Sequence, residues 1–193
     1  MLDGHFKWSK KLGFLYFLDA KKDGRIDQEK MKQALVEYEK ALSASNSGLG
    51  RDHLLLRCAE ACLMLKDFDK GDSYGQQVLE AYKVSDYYFA YDLFHKANLV
   101  LGKISLERGD VEKAKRLLLM AAEEGALRQG HPLSGPYMKL ALRMLELGEK
   151  GTVLEYLRKC AKVWTMPNHE LDQWIRIIEE GRIPNFGPVY LIN

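Results

Sequence analysis

The sequence predicts an all-α protein, a stack of antiparallel helix pairs closed by one last helix. Three observations carry that expectation. Apolar residues recur every three or four positions, as in Leu54, Leu55, Cys58, Ala59, Cys62 and Leu65, the period of a helix with one buried face. Short breaks at Lys66-Asp67, Gly109-Asp110 and Gly148-Glu149 each separate two such stretches. Strand-like alternation is scarce, and five prolines in 193 residues leave room for long helices.

A first pair spans 8–44, with Leu12 to Leu18 in its opening helix and Ala34, Tyr38, Ala41 and Leu42 in its second. Ser43 to Gly50, rich in Ser, Asn and Gly, reads as a loop. The second pair spans 51–83 and turns at Lys66-Asp67, where Asp67 accepts from free N–H groups of the next helix. The third spans 86–124 and turns at Gly109-Asp110, with Leu117, Leu118, Ala121 and Ala122 on its second stripe. Gly125 to Pro136 holds three glycines and two prolines and reads as a loop. The fourth pair spans 134–164, carries the broader stripe Leu140, Leu142, Met144, Leu145 and Leu147, and turns at Gly148-Glu149. Gly109 and Gly148 suit the left-handed conformation that closes a helix. Pro167-Asn168 opens a capping helix over 168–181, with Asn168 as N-cap, Glu170 near its positive end and Gly181 at its stop. The tail 182–193 is irregular. About nine helices are expected.

These turns and small residues resemble the tetratricopeptide repeat family. Its unit has a Leu-Gly pair, a Gly-Asp turn and small residues on the second helix. The third pair matches through Leu101-Gly102, Ser105, Gly109-Asp110, Ala114, Leu118 and Ala121. The second keeps Cys58-Ala59, Cys62, Lys66-Asp67-Phe68, Gly71 and Val78, and the fourth keeps Leu140-Ala141, Met144, Gly148-Glu149 and Cys160, with Val153 where a small residue is usual. The first keeps only the second-helix signature Ala34, Tyr38 and Ala41-Leu42. Units recur about every forty residues rather than the family's thirty-four. His95 to Gly187 is also similar to the C-terminal part of a group of uncharacterised bacterial repeat proteins, a likeness that brings no activity with it. The resemblance implies a TPR-like right-handed superhelix forming a single repeat domain over 1–193. In it Ala59, Gly71, Gly102, Ala114 and Ala141 are contact residues between helices.

Twenty-nine basic and 27 acidic residues give a net charge of +2, without the basic excess of a dedicated nucleic-acid binder. Three cysteines, Cys58, Cys62 and Cys160, cannot all pair within one chain, and a low odd count fits a reducing compartment. Leu12 to Leu18 is too short to span a membrane and wrongly flanked for a signal peptide. A cytoplasmic protein is expected.

Motifs that would carry chemistry are thin. Residues 19–30 resemble an EF-hand calcium loop, with Asp19, Asp23, Gly24, Ile26 and Asp27 at suitable spacings. Lys21 replaces a ligand, however, and Lys30 replaces the closing bidentate glutamate. A polar turn with Asp27 as helix cap is the simpler reading, and a regulatory module built on this degenerate loop is the alternative. Cys58 and Cys62 share a helix face but lack two further metal ligands, and they fit the apolar stripe as small hydrophobes. His5, His53, His95, His131 and His169 are scattered. No phosphate loop, nucleophile elbow or zinc helix appears. Neither a metal nor another cofactor is expected, nor is an enzyme. Tyr82, Tyr87, Tyr88, Phe89, Tyr91 and Phe94 form a dense aromatic cluster with few basic neighbours, which suits helix packing better than base stacking. Trp164 and Trp174 are expected to fix the last helices.

In the resembled family the first helices of the pairs line a concave groove. That geometry implies His53, Leu56, Arg57, Glu60 and Met64 in the second pair, Lys96, Leu99, Val100, Lys103 and Glu107 in the third, and Met138, Lys139, Leu142 and Glu146 in the fourth. The family's chaperone-binding members clamp a terminal carboxylate with Lys, Asn and Arg. Here Val100 stands where the clamp arginine would be, and no groove asparagine is present. The resemblance therefore implies a non-catalytic adaptor for a protein or peptide with acidic and apolar side chains. Tyr190, Leu191 and Ile192 suggest a second version, in which the tail fills the groove or joins two chains.

Overall fold

The computed structural model describes residues 2–21, 25–46, 48–85, 90–123, 136–162 and 169–187. Among these are nine helices and no strand. They are α1 (Leu2–Ala20), α2 (Gln28–Ser43), α3 (Leu49–Leu65), α4 (Phe68–Lys83), α5 (Ala90–Glu107), α6 (Val111–Met120), α7 (Lys139–Glu146), α8 (Lys150–Ala161) and α9 (Glu170–Glu179). The chain divides into two compact units, 1–87 and 88–193.

In the first unit α1 packs on α2, α2 on α3 and α3 on α4. Small residues allow the first contact. A Cβ at Gly13 would come within 2.7 Å of the Tyr38 ring, so α1 lies directly on that ring. Phe17 meets Tyr38 at a centroid distance of 6.2 Å. Glu39 of α2 holds α4 through two side chains, accepting from Tyr74 Oη at 2.8 Å and pairing with Lys70 Nζ at 2.7 Å. The loop after α2 is shorter than its composition predicts, because α2 continues to Ser43 and α3 begins at Leu49.

In the second unit α5 pairs with α6 and α7 with α8, α7 also touches α5 and α6, and α9 lies on α8. Gly102 sits where α5 meets its neighbours. An added Cβ would overlap Leu140 Cδ2 of α7 and lie 3.5 Å from Leu117 Cβ of α6. Ala59, Gly71, Ala114 and Ala141 are also buried. Arg158 pairs with Glu179 at 2.7 Å and Lys150 Nζ donates to the Glu179 carbonyl at 2.7 Å, fixing α9 on α8. After α9 the chain turns back so that Phe186 meets Trp174 edge-on at 5.1 Å. Trp164 and Tyr190 to Ile192 lie outside the described residues. The N-cap of α9 is His169 rather than the expected Asn168; it is left-handed, with φ of 54°, and makes no side-chain cap hydrogen bond.

Three helix pairs share one turn. The N–H groups of Asp67, Asp110 and Glu149 each reach back five residues, to the carbonyls of Cys62, Ser105 and Met144, all at 2.9 Å. The residue before each is left-handed, with φ of 61° at Lys66, 80° at Gly109 and 83° at Gly148. This is the Schellman closure, which satisfies carbonyls the helix end would otherwise orphan. Asp67 and Asp110 then accept from the N–H of Lys70 and Lys113, as N-caps do. The same closure at Gly181, with φ of 82°, ends α9.

Lys66 alone performs this turn with a side chain. Relief of about 1–2 kcal/mol of left-handed strain outweighs the roughly 0.5–1 kcal/mol that glycine loses in chain entropy. Lys66→Gly should therefore raise the urea midpoint, and a lower midpoint would mean that the exposed lysine contributes more than its backbone costs.

Candidate functional site

α3 and α5 are enclosed on nearly every side. α3 buries Asp52, Leu54, Leu55, Leu56, Cys58, Ala59, Glu60, Ala61 and Cys62, and α5 buries Leu93, His95, Ala97 to Gly102, Ile104 and Ser105. A helix apolar all round has no free stripe to offer. The groove inferred from the repeat resemblance includes residues of both helices and of the segment before α7. Of its positions, Leu56, Glu60, Leu99, Val100 and Met138 are buried.

The basic positions are also engaged. Arg57 Nη1 lies 2.7 Å from Glu60 Oε2, and its guanidinium covers the Phe17 ring at 5.7 Å. It is the counter-ion of a buried carboxylate. Lys96 Nζ pairs with Asp92 at 2.7 Å and sits 5.0 Å from the Tyr137 ring centre. Burial works to lower the Lys96 pKa, but Asp92 and Tyr137 raise it and the net shift is upward. His53, Met64, Lys103 and Leu142 are half-buried, while Glu107, Lys139 and Glu146 are exposed and Glu146 pairs with Arg143.

His95 forms a polar node that its isolated place in the sequence conceals. Its Nδ1 lies 2.7 Å from the Ala121 carbonyl, which also accepts from Tyr91 Oη at 3.0 Å. The Tyr137 N–H faces Nε2 at 3.5 Å. A carbonyl on one side and an N–H on the other assign the proton to Nδ1. The Tyr156 ring stacks on the imidazole at 6.3 Å. Burial pushes the His95 pKa down to about 4, against the Ala121 hydrogen bond and Asp92, which raise it, and Lys96, which lowers it further. The ring is neutral at physiological pH and occupied with structure.

At the EF-hand-like segment, Asp27 caps α2 by accepting from Glu29 N and Lys30 N, both at 3.1 Å. Lys30 Nζ lies 2.5 Å from Asp19 Oδ2. The ammonium at the loop's last position thus neutralises the carboxylate at its first. Asp23 and Gly24 lie outside the described residues. Cys58, Cys62 and Cys160 are buried free thiols. Burial pushes Cys62 up to about 12 and raises the other two further, so none supplies a ready thiolate. No three His, Cys, Asp or Glu side chains among the described residues form a metal-holding group. No helix among those residues is long and apolar enough to cross a membrane.

The most distinctive surface belongs to α1. Its inner side places Gly13, Phe17 and Ala20 in the core. Its outer side exposes Trp8 (69%), Phe14 (44%), Leu15 (50%) and Leu18 (49%), spaced so that they share one broad face. Lys7 and Lys11 are exposed within the same arc. The signal was present in the sequence: Leu12 to Leu18 is too continuously apolar for a one-sided helix, and it serves two sides. Tyr91 of the aromatic cluster is buried and Tyr82 and Phe94 are half-buried, while Tyr87, Tyr88 and Phe89 lie outside the described residues. No family model matches the chain, and no curated protein or solved structure matches it.

Proposed function

We propose that the protein is a non-catalytic adaptor of the TPR-like helical-repeat type, which binds another protein in a reducing, cytoplasmic setting. The single observation that carries this reading is the outer face of α1. Four large apolar side chains on one exposed helix face exceed the scattered surface hydrophobes of an ordinary monomer. A tryptophan among leucines is the composition of an interaction hot spot. The interspersed lysines favour a partner helix with acidic and apolar side chains. Three shared turns at about forty-residue spacing support the repeat assignment. Buried thiols and a histidine committed to packing support the non-catalytic part.

The test compares proteins captured by the wild type, by Leu15→Glu/Leu18→Glu and by Lys103→Glu/Lys139→Glu, with folding checked by circular dichroism. A partner lost only with the α1 pair places the interface there, with affinity falling about tenfold or more, as loss of a hot spot does. A partner lost only with the lysine pair returns the site to the repeat groove. Arg57→Glu is unsuitable as a control, because it would leave Glu60 buried beside a second negative charge.

A further inference from the structure

Three lysines and no acidic residue lie between Gly4 and Leu18. All three, Lys7, Lys10 and Lys11, are exposed on α1. They occupy the turns around Trp8, and the exposed Phe14, Leu15 and Leu18 follow in the next two turns. The outer face of α1 is therefore ordered along the helix axis, cationic around a tryptophan first and apolar after it. At its far end Asp19 pairs with Lys30 at 2.5 Å, and Lys21 Nζ lies 5.2 Å from the centre of the Phe17 ring. The one acid there is offset, so the face keeps a positive sign along its length.

Charge and apolar surface together select an occupant. A protein helix must present acids and apolar side chains in matching register. An anionic bilayer supplies both without register, with negative headgroups at its surface and hydrocarbon just beneath. Helices that lie in the plane of that interface combine Lys with Trp, Phe and Leu, and bury the apolar side chains roughly 5–10 Å into the headgroup boundary. Tryptophan favours the headgroup level, where its ring meets both water and hydrocarbon. Lysine stems lie along apolar surface while their ammonium groups stay among the phosphates. Gly13, Phe17 and Ala20 hold the other side of α1 in the core, so the helix is presented already folded and loses little entropy on docking. A second copy of the chain fits less well, because two such faces would set lysines against lysines. The contact is peripheral, since α1 is not long and apolar enough to cross a membrane.

We propose that the outer face of α1 also docks on an anionic lipid bilayer, with Phe14, Leu15 and Leu18 below the headgroups, Trp8 at their level and the three lysines among the phosphates. The inference uses the face on which the adaptor reading rests and adds an occupant to it. A bilayer and a protein helix then exclude each other there. Vesicle binding is measured without any protein partner, so either reading can fail while the other stands.

The test is co-sedimentation of the full chain with vesicles of phosphatidylcholine alone and with vesicles in which about a third of the lipid is phosphatidylserine. Binding to the second kind is expected to be tighter by about tenfold or more, and to weaken as added salt screens the surface charge. Each lysine near such a surface is worth about fivefold in affinity, so Lys7→Gln/Lys10→Gln/Lys11→Gln should lose about tenfold or more. Arg116→Gln/Lys139→Gln/Lys162→Gln removes three exposed cations of the second unit and should lose distinctly less. Leu15→Glu/Leu18→Glu should abolish binding, because it places charge below the headgroups. Trp8→Ala alters a side chain that is 69% exposed, should weaken binding several-fold, and serves alone should the double variant not fold. Equal binding to both kinds of vesicle, absence of binding at low salt, equal losses in the two lysine-depleted variants, or binding unchanged in the folded α1 variants would overturn the proposal and leave the face to a protein partner.

Discussion

Replacing His95 with alanine is expected to destabilise the second unit by about 3–5 kcal/mol, the range for truncating a large buried aromatic side chain. The imidazole is fully buried and contacts the rings of Tyr91, Tyr137 and Tyr156. Truncation removes those contacts together with the hydrogen bond to Ala121. A more specific consequence concerns acid. Burial pushes the His95 pKa in the folded chain down to about 4, from an ordinary value of about 6.5. Between those values the unfolded chain binds the proton and the folded chain does not, so stability rises with pH. The contribution is fully present above 6.5 and is lost as pH falls toward 4, by up to roughly 3 kcal/mol. Carboxylates titrate in part of the same window, so the informative quantity is a difference. His95→Phe keeps the aromatic volume and removes the titration. Urea unfolding at about pH 7 and about pH 4.5 should show a smaller acid loss for His95→Phe than for the wild type. Equal losses would mean that the histidine binds its proton in the folded state as readily as in the unfolded one.

Gly102→Leu is expected to cost about 1–3 kcal/mol or more, because added methylenes in a packed contact force neighbours off their rotamers. The first obstacle, Leu140 Cδ2, is the far end of a flexible side chain, and behind it stand Leu117 Cβ and the Ala114 carbonyl at 3.5 and 3.6 Å. Gly102→Ala should therefore cost distinctly less, since Leu140 alone must move, and part of that cost returns through alanine's better helix propensity. A chemical denaturation series over Gly, Ala and Leu checks the ordering. An alanine variant as damaged as the leucine variant would show that Leu140 has no alternative rotamer.

The helix pairs and their turns were legible because local chemistry dictates them. Asp67 and Asp110 announce caps, and Gly109 and Gly148 announce left-handed closures. Lys66 occupies the same conformation with no sequence signal of its own, carried by the surrounding hydrogen bonds. The groove was less legible. Family geometry marks a helix face without saying whether that face is open, and the apolar residues on both sides of α3 and α5 were the warning. His95 depends on Ala121 and Tyr137, which lie 26 and 42 residues away.

The two faces of α1 have a dynamic consequence. α3 buries residues on most of its sides, so its amide hydrogens are expected to exchange through larger openings than those of a one-sided helix. α1 rests on the core through Gly13, Phe17 and Ala20 and detaches at a lower free-energy cost, as one-sided elements do. A partner seated on its outer face would bind the attached state and suppress that detachment by mass action. Recognition and local folding of this helix would then be one coupled equilibrium. Occupancy of the face would appear as slowed hydrogen exchange along α1, on residues the partner never touches.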